Sequence, residues 1–384
     1  MQDNTIAFPQ KNTPEYDLLA IVQSLLSEHI VNVIQGKDAD QRIKGGLQEL
    51  FDALDDDSRG NENSESFKKK TEDALKDKQP VKKEQLTDKL NETLKKKGDL
   101  IKKDGGTETP PTTTPPVADA TRYHLLIYLT RVKAHRLTEG FDVGFVDLGG
   151  ADEFRVSGGY TYHNAQIGLD GVARDKTLST TAWEQSFDDN GDDTNDDTDP
   201  NGLPHMLVSE AIPPGKTFLV VTLTPTEKDA VSTKVAQAIG KFASILFTAG
   251  IDLLVGLAVA AGHTLVPGAA SLSAEAQSLI RDHATPGLVG LIRKALGPEL
   301  FQMPVLRVDS DWTPGTAVNW TSWAWYPANR THPHISQGAA EHKGSDVSIN
   351  EIEIEPDDNG VLRQTRVNNG GFYELEFLFR VTEV

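Results

Sequence analysis

The C-terminal stretch EIEIEPDDNGVLRQTRVNNGGFYELEFLFRVTEV, residues 351–384, sets the fold class. Glu351 to Glu355 alternate strictly between acidic and apolar residues. A period of two places Ile352 and Ile354 on one face of a strand and the glutamates on the other. PDDNG, 356–360, then supplies Pro, Asp, Asn and Gly, the residues that reverse a chain tightly. VLRQTRV resumes the strand pattern, Gly370-Gly371 turns again, and residues 372–382 form a third strand. Strands that keep one polar face and join through short turns belong to antiparallel sheets. The three are predicted to form a meander.

Working outward, the same pattern recurs at 122–137 (RYHLLIYLTRVKAHRL), 153–157, 159–168, 216–224, 304–309, 316–326 and 347–355. Eight or nine such strands predict a mainly β fold with helical additions. The expected architecture is an antiparallel two-sheet β-sandwich, C2-like or jelly-roll-like, over residues 119–384. A helical insertion at about 229–297 interrupts it: Asp229 to about Ala261 is helical, 286–296 is helical again, and Pro267 and Gly268 mark the joint.

A helical or disordered segment precedes this body. In 14–35, Leu18, Ile21, Val22, Leu25, Leu26 and Ile30 fall at helical spacing, with Thr13 as cap and Pro14 in the first turn. A second helix, ending at Asp56, is expected to begin after a turn at Gly45-Gly46. Two helices of this size bury little alone, so residues 1–57 are read as a docking segment for the body, a second copy or a protein partner. Residues 58–118 read as a linker, charged over 66–103 and Pro/Thr-rich over 105–116.

The net charge of −19 is uneven. Residues 68–103 carry 13 Lys against 7 acids, whereas 117–384 carry 20 basic and 35 acidic groups. An acidic body repels phosphate backbones and excludes nucleic acid as its partner. It attracts divalent cations and basic surfaces. The absence of Cys removes disulfides, thiol catalysis and Cys-zinc sites. The first residues, MQDNTIAFPQKN, lack the basic and apolar regions of an ordinary secretory signal, so a cytoplasmic location or export by a signal-independent route is expected.

Residues 188–202, DDNGDDTNDDTDPNG, hold seven Asp between Asp188 and Asp199. Carboxylates on alternate residues of a tight turn supply the oxygen ligands that calcium needs. The run Asp197-x-Asp199-x-Asn201-Gly202 resembles the loop shared by EF-hands, dockerins and thrombospondin type 3 repeats, and that resemblance implies calcium. It covers six residues, and Val208 stands where an EF-hand loop has its bidentate Glu. The plain alternative is a polar β-turn, as at Glu355 to Gly360, where nearly the same pattern joins two strands. The candidate ligands are Asp188, Asp193, Asp197, Asp199 and Asn201. Strand-end acids Asp147, Asp152, Glu153, Glu227 and Asp229 are expected to join them, as in C2-like domains, which the chain resembles in general layout.

Residues 242–262, FASILFTAGIDLLVGLAVAAG, are long enough to span a bilayer and carry one charge, Asp252. Besides an oligomer contact, two readings follow. In one, this is a central helix buried under a sheet, with Asp252 paired or near an end. In the other, Leu246, Ile251, Asp252, Leu253 and Leu254 belong to a membrane-inserting segment, with the charge costing roughly 3 kcal/mol at the bilayer centre. Four of the five Trp lie between Trp312 and Trp325. Trp320, Trp323 and Trp325 are candidates for stacking on a glycan or a protein, with Trp320 on the face opposite the other two. His332-x-His334, with His342 and Asp346, is a weaker metal-site pattern.

The chain carries no P-loop, nucleophile elbow, zincin or dinucleotide signature. The expected function is therefore a non-enzymatic binding or structural protein: a calcium-binding β-sandwich that recognises a protein or glycan surface. The alternative is a membrane-active, pore-forming or injected effector.

Overall fold

A computed structural model describes residues 10–57, 63–76, 83–101, 123–136, 142–143, 146–147, 152–164, 176–187, 203–212, 217–227, 231–265, 272–280, 284, 285, 288, 296, 305–308, 317–325, 354–356, 362–364 and 372–383. It combines antiparallel sheets with a substantial helical layer.

Four helices come first: α1 (Pro14–Ile34), α2 (Gln41–Asp55), α3 (Ser64–Lys76) and α4 (Lys83–Lys96). α1 starts as its sequence dictates. Pro14 takes the first position, and the Thr13 hydroxyl accepts the Tyr16 N–H at 3.2 Å. Leu18, Ile21, Val22, Leu25 and Leu26 form its buried stripe. α2 begins earlier than expected. The Asp40 carboxylate accepts the N–H groups of Arg42 and Ile43, so the helix starts at Gln41 and runs through Gly45-Gly46. Gly46 is there for approach. A Cβ on Gly46 would come within 2.8 Å of the Ile245 side chain.

The expected solvated linker contains α3 and α4, and both join the core. Phe67, Thr71 and Leu75 of α3 are buried, as are Leu86, Leu90 and Thr93 of α4. One apolar or small residue per turn suffices to seat a helix whose other faces are Lys and Glu. Phe67 meets Phe51 of α2 edge-on, with ring centroids 6.1 Å apart.

The strands are β1 (Tyr123–Arg136), β2 (Asp142–Val143), β3 (Val146–Asp147), β4 (Asp152–Asn164), β5 (Lys176–Ser179), β6 (Trp183–Phe187), β7 (His205–Ile212) and β8 (Thr217–Glu227), then β9 (Val305–Val308), β10 (Ala317–Trp325), β11 (Ile354–Pro356), β12 (Leu362–Gln364) and β13 (Phe372–Glu383). Between β8 and β9 come α5 (Thr233–Ala260) and α6 (Ala274–Leu279). One sheet has the order β10-β13-β1-β7. A second has the order β5-β4-β8-β9, with β6 also paired to β4. β11 and β12 pair as the PDDNG turn predicts. The meander stops there: both edges of β13 are taken by β1 and β10, so β13 does not continue from β12. The register from Tyr123↔Glu383 to Arg136↔Phe372 offers β13 far more ladder than the three-residue β12.

α5 lies between the second sheet and the N-terminal helices. Gly240 and Ser244 look toward β4 and β8. The Ser244 hydroxyl bonds to Thr222 Oγ1 at 2.9 Å and to the Gly159 carbonyl at 3.2 Å. Phe242 and Ile245 look toward Gly46 of α2, and Gly250 packs against Val22 and Leu26 of α1. The faces of α1 and α2 that sequence reading left without a partner are thus spent on α5, in one continuous hydrophobic core. Each large aliphatic side chain buried there contributes about 1.5–3 kcal/mol relative to exposure.

Candidate functional site

Three strands of the second sheet end together. Asp152 pairs with Phe187 and Glu153 with Ser186 across β4 and β6. Phe154 pairs with Glu227 across β4 and β8. The start of β4 therefore shares one end of the sheet with the last residues of β6 and β8. Asp188 follows Phe187 directly, so the acidic run 188–202 departs from the position opposite Asp152. Asp188, Asp193, Asp197, Asp199, Asn201 and Asp229 lie outside the described residues, as do His332, His334, His342 and Asp346. Asp147 pairs with Asp142 in the small β2–β3 sheet. Among the described residues, no three Asp, Glu or His side chains stand close enough to hold a metal ion.

The same end holds a cation that sequence reading missed. Arg155 is only 3% exposed. Its Nη1 donates to the Val231 carbonyl at 2.9 Å, and its Nε donates to Glu184 Oε2 at 3.3 Å. Val231 leads into α5, whose cap Ser232 is tied to the residues just after α2: its backbone N–H donates to the Asp57 carboxylate Oδ2 at 2.9 Å. Lys234 and Asp56 add a surface pair at 2.5 Å. Arg155 thus ties strand β4 to the start of α5. Beside it, the register aligns Ser157 with Thr224 and Arg155 with Thr226. Among the described residues, the buried hydroxyls of Ser157, Thr224 and Thr226 find no hydrogen-bond partner. Only the pairing register, set by residues far apart in the chain, brings these groups together.

β10 pairs along β13 with Trp320 opposite Phe377, Trp323 opposite Leu375 and Trp325 opposite Tyr373. These partners are alternate residues of one strand. A register shift lies between Trp320 and Trp323.

In α5, Leu246, Ile251 and Leu254 are fully buried and Leu253 is partly so. Asp252 is paired: Arg42 Nη1 donates to its Oδ2 at 2.6 Å. The same guanidinium reaches back to Asp40, with Nη2 at 2.9 Å from Oδ2. Burial alone would push the Asp40 carboxyl upward. The hydrogen bonds and charge of Arg42, with the backbone N–H groups of Arg42 and Ile43, outweigh it and hold Asp40 below the usual carboxylate range.

The chain matches no protein-family model, no curated protein and no solved structure.

Proposed function

We propose that this protein is a non-enzymatic calcium-binding β-sandwich that recognises a protein or glycan surface. The observation that carries the reading is the register at one sheet end. Phe187, the residue before the acidic run, pairs with Asp152, and Glu227 pairs with Phe154 at the same sheet end, which supports a site built from that run with Asp152, Glu153 and Glu227. Hard carboxylate oxygens from a loop and from neighbouring strand ends are the ligand set that calcium prefers. A cation there relieves repulsion among the carboxylates.

The sandwich arrangement draws support from contacts between the two sheets. The Tyr160 hydroxyl of β4 bonds to Glu210 of β7, Lys176 of β5 pairs with the same carboxylate at 2.7 Å, and the Thr181 N–H donates to the Leu207 carbonyl at 3.0 Å. In this reading the Trp-bearing β10, at the edge of its sheet, is the recognition element. The experiment is thermal unfolding of the whole chain in EDTA and in millimolar calcium. A cation bound only by the folded state raises the midpoint by mass action. The rise should vanish in Asp197→Ala/Asp199→Ala and should not appear with magnesium. No rise at all would refute calcium binding.

One observation favours a second reading, the membrane-active effector. α1 and α5 are both long and apolar enough to cross a bilayer, and they pack on each other. Leakage of a dye from liposomes, abolished by Leu253→Arg, would support it. Intact liposomes under acidic and neutral conditions would dismiss it.

A further inference from the structure

We infer that His29, Asp40, Arg42 and Asp252 form an acid-sensitive latch, which fastens α2 across the middle of α5 and loosens when His29 takes up a proton. The latch is a chain of direct bonds. The Asp40 N–H donates to His29 Nδ1 at 2.9 Å. Asp40 caps α2 through the Arg42 N–H at 2.9 Å and holds the Arg42 guanidinium. Arg42 Nη1 then reaches Asp252. One turn of α1 is thereby connected to the only charge in residues 242–262.

The first bond fixes a protonation state. An imidazole nitrogen that accepts a hydrogen bond carries no hydrogen, so His29 is neutral with its proton on Nε2. In the imidazolium both nitrogens are donors. Two N–H groups would then face each other, and the bond to Asp40 is lost. Histidine is the side chain whose charge ordinarily changes between about pH 5 and 8. Loosening the Asp40 cap frees the first turn of α2 and with it the position of Arg42. Asp252 is then left in an apolar helix with a weakened counter-charge, which is costly.

The described contacts bring Asp40, and through it Arg42 and Asp252, to His29. Glu28, Lys37 and Asp38 neighbour the joint in sequence. From α3, Glu72 is held by Gln35 at the end of α1. From α4, Lys89 and Lys96 pair with Asp17, and from α6, Glu275 meets Lys97 beside Glu15. Those pairs lie about 18 Å or more from His29 along α1, at a rise of 1.5 Å per residue.

The test is hydrogen exchange on the full chain at about pH 7.5 and about pH 5, corrected for the intrinsic rate, with His29→Gln as the comparison. Gln offers a neutral acceptor at both values. Wild type should lose about tenfold or more of its protection in the first turn of α2 at the lower pH, and His29→Gln should keep it. Equal behaviour of the two proteins overturns the latch. Nitrogen NMR of His29 at neutral pH decides independently of any variant: a bare Nδ1 supports the latch, and a proton on Nδ1 overturns it. Neither outcome depends on calcium.

Discussion

Gly240 of α5 lies so close to Gly159 of β4 that a Cβ on Gly240 would stand 2.4 Å from the Gly159 nitrogen. The reverse holds too: a Cβ on Gly159 would stand 2.3 Å from the Lys241 nitrogen. Helix and strand meet here backbone to backbone, with no side chain between them. Gly240→Ala must therefore push the two layers apart. It should destabilise the fold by about 3 kcal/mol or more, at or above the upper range for overpacking, because the clashing atoms are backbone. Gly256, in the same helix, faces open space. Gly256→Ala should stabilise by about 0.5–1 kcal/mol through helix propensity. Urea midpoints of the two variants test the contrast.

Arg42→Ala should cost about 1.5–3 kcal/mol, the range for losing hydrogen bonds to charged groups. Arg42 and Asp252 are both largely buried, so the orphaned carboxylate is poorly rescued by water. Asp252→Asn in the same chain should recover part of the loss. A double-mutant cycle by urea denaturation gives a coupling energy well above zero if the pair acts as a unit. Additive losses would show that Asp252 finds its charge balance elsewhere.

The depressed Asp40 carboxyl sets an acid limb of stability. A carboxylate whose folded value lies below its unfolded value of about 3.9 contributes stability that is complete above that value. The contribution disappears as pH falls through the lower, folded value. Asp40→Asn keeps a capping side chain but removes the charge. It should flatten the stability curve below about pH 4, as followed by circular dichroism during acid titration.

Phe67→Ala distinguishes a packed α3 from a solvated one. Phe67 is fully buried against Phe51, so truncation should cost about 3–5 kcal/mol. An unchanged denaturation midpoint would mean that residues 64–76 add nothing to the core.

How much of this was legible depended on distance along the chain. α1 announced itself through Leu18, Ile21, Val22, Leu25 and Leu26, because a helix stripe is a local pattern. β1 and β13 did so through β-branched and aromatic content. Gly45-Gly46 misled, since a glycine pair reads locally as a turn, and the purpose of Gly46 lies two hundred residues away at Phe242 and Ile245. Gly158-Gly159 misled in the same way: two expected strands, 153–157 and 159–168, are the single strand β4. α3 and α4 were hidden by their lysines, which outnumber the few residues that anchor them. β5 and β6 were missed because they are short and carry few apolar residues, whereas β7 follows directly on the Asp/Pro/Gly run, whose turn character masked its start. At the candidate site, Asp152, Glu153 and Glu227 stood out as strand-end acids. Arg155 did not, because its neighbours Glu184 and Val231 come from register and from the start of α5.

The isolated bridge between Ile101 and Leu272, with Ser273 N–H bonded to the Leu100 carbonyl at 3.0 Å, gives the Pro/Thr-rich stretch a different meaning. Both of its flanks are fastened, one beside α6 and the other in β1. The described residues from α1 to Ile101 thus cover α5 and share its core, and they are linked in sequence to β1 by the Pro/Thr-rich span between Ile101 and Tyr123. Cutting that span with an engineered protease site should leave two pieces that stay together through gel filtration. A separately produced cover should then re-associate with its other half, as complementary fragments do.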